Sequence, residues 1–168
     1  GALLGMNDMA GARRSFELAL GKDPMHFPAI LNLSRLDVAD KKPDAAQKRL
    51  EAVLAKDPRH LQALLALADL RATSGGTPAD VVALITRAIG AHPSDSVPRL
   101  ALIRYYLSRK DTNKAVVASQ EAMAAIPDRP EVLEYAGRAH QVAGDTNQAL
   151  AIYRKLVSLQ PGVAEHHV

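Results

Sequence analysis

Proline recurs at positions 24, 58, 93, 127 and 161, at separations of 34, 35, 34 and 34 residues. A fixed period of this length marks a chain built from repeated supersecondary units, and other positions recur with it. Twelve residues before each proline stand Ala12, Ala46, Val81, Ala115 and Ala149; eight before stand Phe16, Leu50, Ile85, Ser119 and Tyr153; five before stand Ala19, Val53, Ala88, Ala122 and Leu156. Offsets of four and three place each trio on one face of a helix, with a small residue where a neighbouring backbone comes close. The first half of each period is helical as well. "AILNLSRL" carries Ile30, Leu33 and Leu36, "ALLALADL" carries Leu64, Leu67 and Leu70, and "VLEYAGRAH" carries Leu133, Ala136 and Gly137 at helical spacing.

Between the two halves, sixteen residues before the closing proline, lie Asp8, Lys42, Thr77, Asp111 and Asp145. Asp and Thr accept hydrogen bonds from the orphan N–H groups of a first helical turn, so four of the five are N-caps; the fifth, Lys42, precedes Pro43, which suits the first helical position. Pro28, Pro98 and Pro130 fall near the start of first helices and Pro43 and Pro78 near the start of second ones. No proline is expected inside a helix, where it would cost about 3 kcal/mol. The stretch "TSGGTPAD", Thr73 to Asp80, holds the extra residue of the 35-residue period. A phosphate loop would need a lysine after the glycines and a strand before them. The stretch reads instead as a lengthened turn: Gly75 and Gly76 end one helix, and Thr77, Pro78 and Asp80 start the next as cap, first-turn residue and capping-box acid.

The period divides the chain into the end of one repeat (1–26), four complete repeats (27–60, 61–95, 96–129 and 130–163) and the start of a further repeat or a tail (164–168). The expected fold is all-α, a solenoid of antiparallel helix pairs, because one pair cannot bury its apolar face alone. The chain starts inside a repeat, so it is expected to be a fragment of a longer array, with any signal or anchor upstream.

Pairs of helices in a 34-residue unit, with the spacing of Ala149, Tyr153, Leu156 and Pro161, resemble tetratricopeptide repeats. "YAGRAHQVAGDTNQALAIYRKLVSLQP", Tyr135 to Pro161, is the best match. The resemblance covers about residues 1 to 161 and implies a right-handed superhelix. Arg99 and Ser119 stand in slots that are usually apolar in that family, so the fourth repeat is where the packing departs most. A narrower resemblance is carried by "PAILNLSRLDVADKKPDAAQKRLEAVLAKDP", "SGGTPADVVALI", "PRLALIRYYLSRKD" and "GDTNQALAIYRKLVSLQP". Together these look like the tetratricopeptide-repeat lipoprotein of the PEP-CTERM/exosortase system. It implies a place in the bacterial cell envelope, as a periplasm-facing lipoprotein connected with surface-protein sorting and exopolysaccharide production, its lipid-bearing cysteine upstream. A cytoplasmic location is the alternative.

By the same resemblance, the first helix of each pair lines a concave groove that holds peptides. Arg35, Asp69, Arg104 and Arg138 would face it, with Leu31, Leu65, Leu100 and Glu134 four residues earlier on the same face. A groove floored by leucines and studded with guanidinium groups suits a protein or peptide segment with apolar and acidic side chains. The alternative has the leucines packed against adjacent helices and the arginines solvated or paired, for example with Asp69. The slots of the chaperone-tail clamp read Leu31, Arg35, Ala66, Val97 and Ala101, only one of them polar, so chaperone C-terminal tails are not expected partners.

Composition removes other classes. The net charge of +3 comes from 21 basic and 18 acidic residues that are interspersed, so no nucleic acid is expected as partner. No apolar run approaches the ~20 residues of a membrane span, so no membrane insertion by this segment is expected. There is no cysteine, which excludes thiol catalysis and cysteine metal sites. His26 and His60 stand at equivalent helix starts, roughly 10 Å apart by helix-packing distances, too far to share a metal. His166 and His167 are either the start of a truncated repeat or foreign to the native protein. His140 reads as a packed or groove-lining residue near Tyr106, Asp37 and Asp40 as carboxylates spread along helix surfaces, and Tyr105 and Tyr106 as core filling rather than platforms for a sugar or base. No cofactor, metal or catalytic residue is expected, and the chain is not expected to be an enzyme. Two functions stay open: a scaffold binding a segment in the groove, or an architectural spacer whose apolar edge faces pair end to end.

Overall fold

The computed structural model describes residues 2–160, which form nine α-helices and no strand. They are α1 (Ala2–Lys22), α2 (Phe27–Ala39), α3 (Pro43–Lys56), α4 (Leu61–Thr73), α5 (Pro78–Ala91), α6 (Ser96–Ser108), α7 (Thr112–Ala125), α8 (Pro130–Val142) and α9 (Thr146–Leu159). Short turns join them, so consecutive helices within each unit run antiparallel. The chain divides into two compact units, Gly1–Leu84 and Ile85–Val168.

In the first unit α2 packs on α1 and on α3, and α3 on α4. The recurring face of α3 is buried throughout: Ala46 is 0 % exposed and Leu50 and Val53 are 2 % exposed. Burying a leucine this completely contributes about 2 kcal/mol before entropy is counted. Leu33 and Leu64, from the first helices, complete that core.

In the second unit α6 packs on α7, α7 on α8 and α8 on α9, and the two first helices α6 and α8 also touch. Leu133, Ala136 and Ile152 form a cluster with Met123 and Leu156 packed against it. Gly137 lies directly under Tyr153: a Cβ there would meet the ring at 2.6 Å. Glycine at this helical site is therefore set by the close approach of α9. Ser119, in its ordinarily apolar slot, is fully buried and donates its hydroxyl hydrogen to the Val116 carbonyl at 2.7 Å. That bond satisfies the one polar atom the slot would penalise. Arg99 is half-buried and points Nε and Nη2 at the Pro93 carbonyl, each at 3.4 Å.

The turns follow the expected chemistry. Asp57 starts a turn with Pro58 in its second position: the His60 N–H donates to the Asp57 carbonyl at 3.1 Å and the Arg59 N–H to the Asp57 carboxylate at 3.1 Å. Thr77, Asp111 and Asp145 cap α5, α7 and α9, accepting from the N–H groups of Asp80, Lys114 and Gln148 at 3.2, 3.3 and 3.4 Å. Lys42 makes no side-chain cap and Pro43 opens its helix. Gly75 has φ +82°, as a left-handed helix end requires.

One cap is not where the repeat puts it. Asp8 lies within the unbroken helix α1, which runs from Ala2 to Lys22. Extending a helix adds a hydrogen bond per residue whereas starting a new one is costly, and no proline stands between Ala2 and Lys22 to break it.

Candidate interaction surfaces

The eight residues expected in the groove fall into two sets, four in each unit. In the first, Leu31 and Leu65 are half-buried on α2 and α4, and Arg35 and Asp69 are exposed one turn later. Neither Arg35 nor Asp69 makes a side-chain hydrogen bond or ion pair among the described residues. In the second unit Leu100 is half-buried on α6, while Arg104, Glu134 and Arg138 are exposed. Arg138 pairs with Glu134 at 3.6 Å and lies 5.0 Å over the Tyr135 ring. An exposed pair of this kind contributes only about 0.3–0.5 kcal/mol, so Arg138 stays available to a stronger acceptor. Arg104 has no acidic partner among the described residues. Leucines set halfway into the surface with cations beside them offer apolar contact and carboxylate recognition together.

Asp37 and Asp40 are not spread along a surface. Asp37 is 3 % exposed and takes hydrogen bonds from two helices, from Arg13 Nη1 of α1 at 2.9 Å and from Arg49 Nε of α3 at 2.7 Å. Arg13 Nη2 also reaches Asp40 at 2.8 Å. Burial pushes the Asp37 carboxyl up, but the hydrogen bonds and charges of Arg49 and Arg13 outweigh it and hold the group below the usual aspartate range. The hydrogen bond to Asp37 raises Arg13 in turn. The group clamps α1, α2 and α3 together. Periodicity could not have found it, because Arg13 comes from the preceding repeat and Arg49 from the other helix of the same one.

The histidines have structural places. His60 caps α4, its Nδ1 accepting from the Ala63 N–H at 3.1 Å, and its ring lies 4.5 Å from that of Phe27. His26 stands before α2 without a side-chain cap. His140 is 1 % exposed on α8 and neither ring nitrogen has a hydrogen-bond partner, although Nδ1 comes within 3.4 Å of Asp145 Oδ2. His166 and His167 lie outside the described residues. No three His, Cys, Asp or Glu residues come together as a metal-binding group among the described residues. No helix there is long and apolar enough to cross a membrane.

The N-termini of α6 and α8 meet around Glu131. Its carboxylate accepts from Ser96 Oγ at 3.1 Å and from Arg129 Nη1 at 3.4 Å. A bond from its own backbone N–H does most to hold it below the usual glutamate range, helped by Ser96 and Arg129 and opposed by burial. The open hollow beside it, about 510 Å³, is lined by His92, Pro93, Ser94, Asp95, Ser96 and Arg129.

Residues 3–70 match the family model of the tetratricopeptide repeat. Among solved structures, a MamA protein is similar at 19% identity, over 98% of this chain and 89% of that one, with a TM-score of 0.66. A MamA from Desulfovibrio magneticus is similar at 15% identity, over 95% and 89%, with a TM-score of 0.64. A thermophilic tetratricopeptide repeat protein of Thermus thermophilus is similar at 20% identity, over 95% and 87%, with a TM-score of 0.61. A comparison with curated proteins finds no significant match. At these identities the likeness is one of fold, the all-α solenoid of helix pairs.

Proposed function

We propose that the chain is a non-catalytic scaffold that holds protein segments against the first helices of its units, α2 with α4 and α6 with α8. The observation that carries this reading is the pair Arg35 and Arg104: both are exposed, neither has a carboxylate partner among the described residues, and each follows a half-buried leucine by one turn. A guanidinium held at an apolar strip recognises an acidic side chain in a fixed orientation. The sequence stretches that resemble the PEP-CTERM-system lipoprotein support a setting in the bacterial envelope as part of the same proposal. Arg35→Glu, Arg104→Glu and Arg138→Glu together should abolish recovery of the native partner by crosslinking in the source cell. Unchanged recovery overturns the reading.

A second reading, an architectural section of an array, is favoured by α9. Leu150 and Val157, two turns apart on it, are 46 % and 62 % exposed. They would serve a stacked helix pair. Concentration-dependent dimerisation that Val157→Lys removes, with the arginine variants silent, would favour it.

A further inference from the structure

We infer that the corner where α6 turns into α7 is a separate docking surface, outside the first-helix rows, for a carboxylate-rich segment of a protein partner. Tyr105 and Tyr106 lie there half-buried, ring centroids 6.0 Å apart. Each ring carries a cation: Arg109 Cζ stands 5.8 Å from the Tyr105 centroid and Lys114 Nζ 6.0 Å from that of Tyr106. A guanidinium stacked on a ring keeps its N–H edge free for a carboxylate. Arg109 and Lys110 are exposed and have no acidic partner among the described residues; Lys114 reaches Asp111 only at 3.6 Å.

Lys110 has φ +60°, as Lys41 has in the turn from α2 to α3, whereas the turn from α8 to α9 uses Gly144 at φ +82°. The class of partner follows from scale. A polybasic membrane anchor uses about four to eight clustered cations, and a duplex contact neutralises roughly six to ten phosphates. Three cations around two tyrosines, with Asp111 among them, match a short run of carboxylates with apolar stems.

The test is fluorescence anisotropy with a labelled oligoglutamate peptide. Arg109→Gln and Lys110→Gly should each weaken binding about three- to tenfold, tenfold being about 1.4 kcal/mol. Lys110→Gly should leave the Tm unchanged or higher, because it relieves the positive φ, so its loss of binding is not loss of fold. The losses in Arg109→Gln and Lys110→Gly should persist in an Arg35→Glu background, which separates the corner from the scaffold reading. The inference fails if the unaltered protein does not bind the peptide, or if both corner variants bind it equally well. It also fails if a single-stranded oligonucleotide or phosphatidylserine vesicles bind more tightly at the same ionic strength and lose that binding in the corner variants.

Discussion

The Asp37 carboxylate accepts a 2.7 Å hydrogen bond from Arg49 Nε, across the helix pair α2 and α3. Asp37 is almost fully buried while its two arginines are partly exposed, with side chains 26 % and 31 % accessible. Asp37→Ala strands those guanidinium groups over an apolar core and should cost about 2 kcal/mol, below the 3–5 of a wholly buried pair because water reaches the cations. Urea unfolding at neutral pH measures it.

The same carboxylate makes the first unit acid-sensitive. Its folded pKa is depressed, so its contribution is full above the ordinary aspartate value and is lost as pH falls from there through the lower folded value. Stability against urea should drop over that acidic window, and the drop should shrink in Asp37→Asn. An unchanged pH profile in the variant would contradict the assignment.

Gly137 and Tyr153 predict a second local effect. Gly137→Ala places a methyl group 2.6 Å from the ring and should destabilise by about 1–3 kcal/mol despite the better helix propensity of alanine. Replacing Tyr153 with Val in the same chain should recover much of the loss. A double-mutant cycle shows whether the two are coupled.

His140 is buried with both ring nitrogens lacking hydrogen-bond partners. Replacing an unsatisfied polar group by an apolar one of similar size is neutral or favourable, so His140→Leu should raise stability by up to about 1 kcal/mol in thermal unfolding. A loss of more than that would show that the approach to Asp145 contributes more than its geometry indicates.

Lys41 and Gly144 occupy like turns, at φ +60° and +82°. Lys41→Gly should therefore raise the Tm, and Gly144→Ala should lower stability by about 1 kcal/mol. Both follow from backbone strain alone.

Much of the fold was legible because it is written in short-range spacing. Ala46, Leu50 and Val53 are buried together, and Thr77, Asp111 and Asp145 cap their helices, as their positions relative to the prolines imply. Asp8 occupied the same slot and failed, since a cap needs a helix end and α1 runs unbroken through that position. His60 and Asp95, which cap α4 and α6, could have been found by looking one residue before each first helix. Arg35, Asp69, Arg104 and Arg138 share a register and are all exposed, but the pairing of Arg138 with Glu134 could only be seen in three dimensions.

By itself the sequence determined the helices, their pairing and the turns between them, because each depends on residues a few positions apart and on a period repeated along the chain. Tertiary structure alone decided that Asp37 is a buried junction and that Gly137 makes room for Tyr153. Arg13 and Asp37 are 24 residues apart, and which side chains meet at such a distance depends on how helices stack, not on the pattern within any one of them.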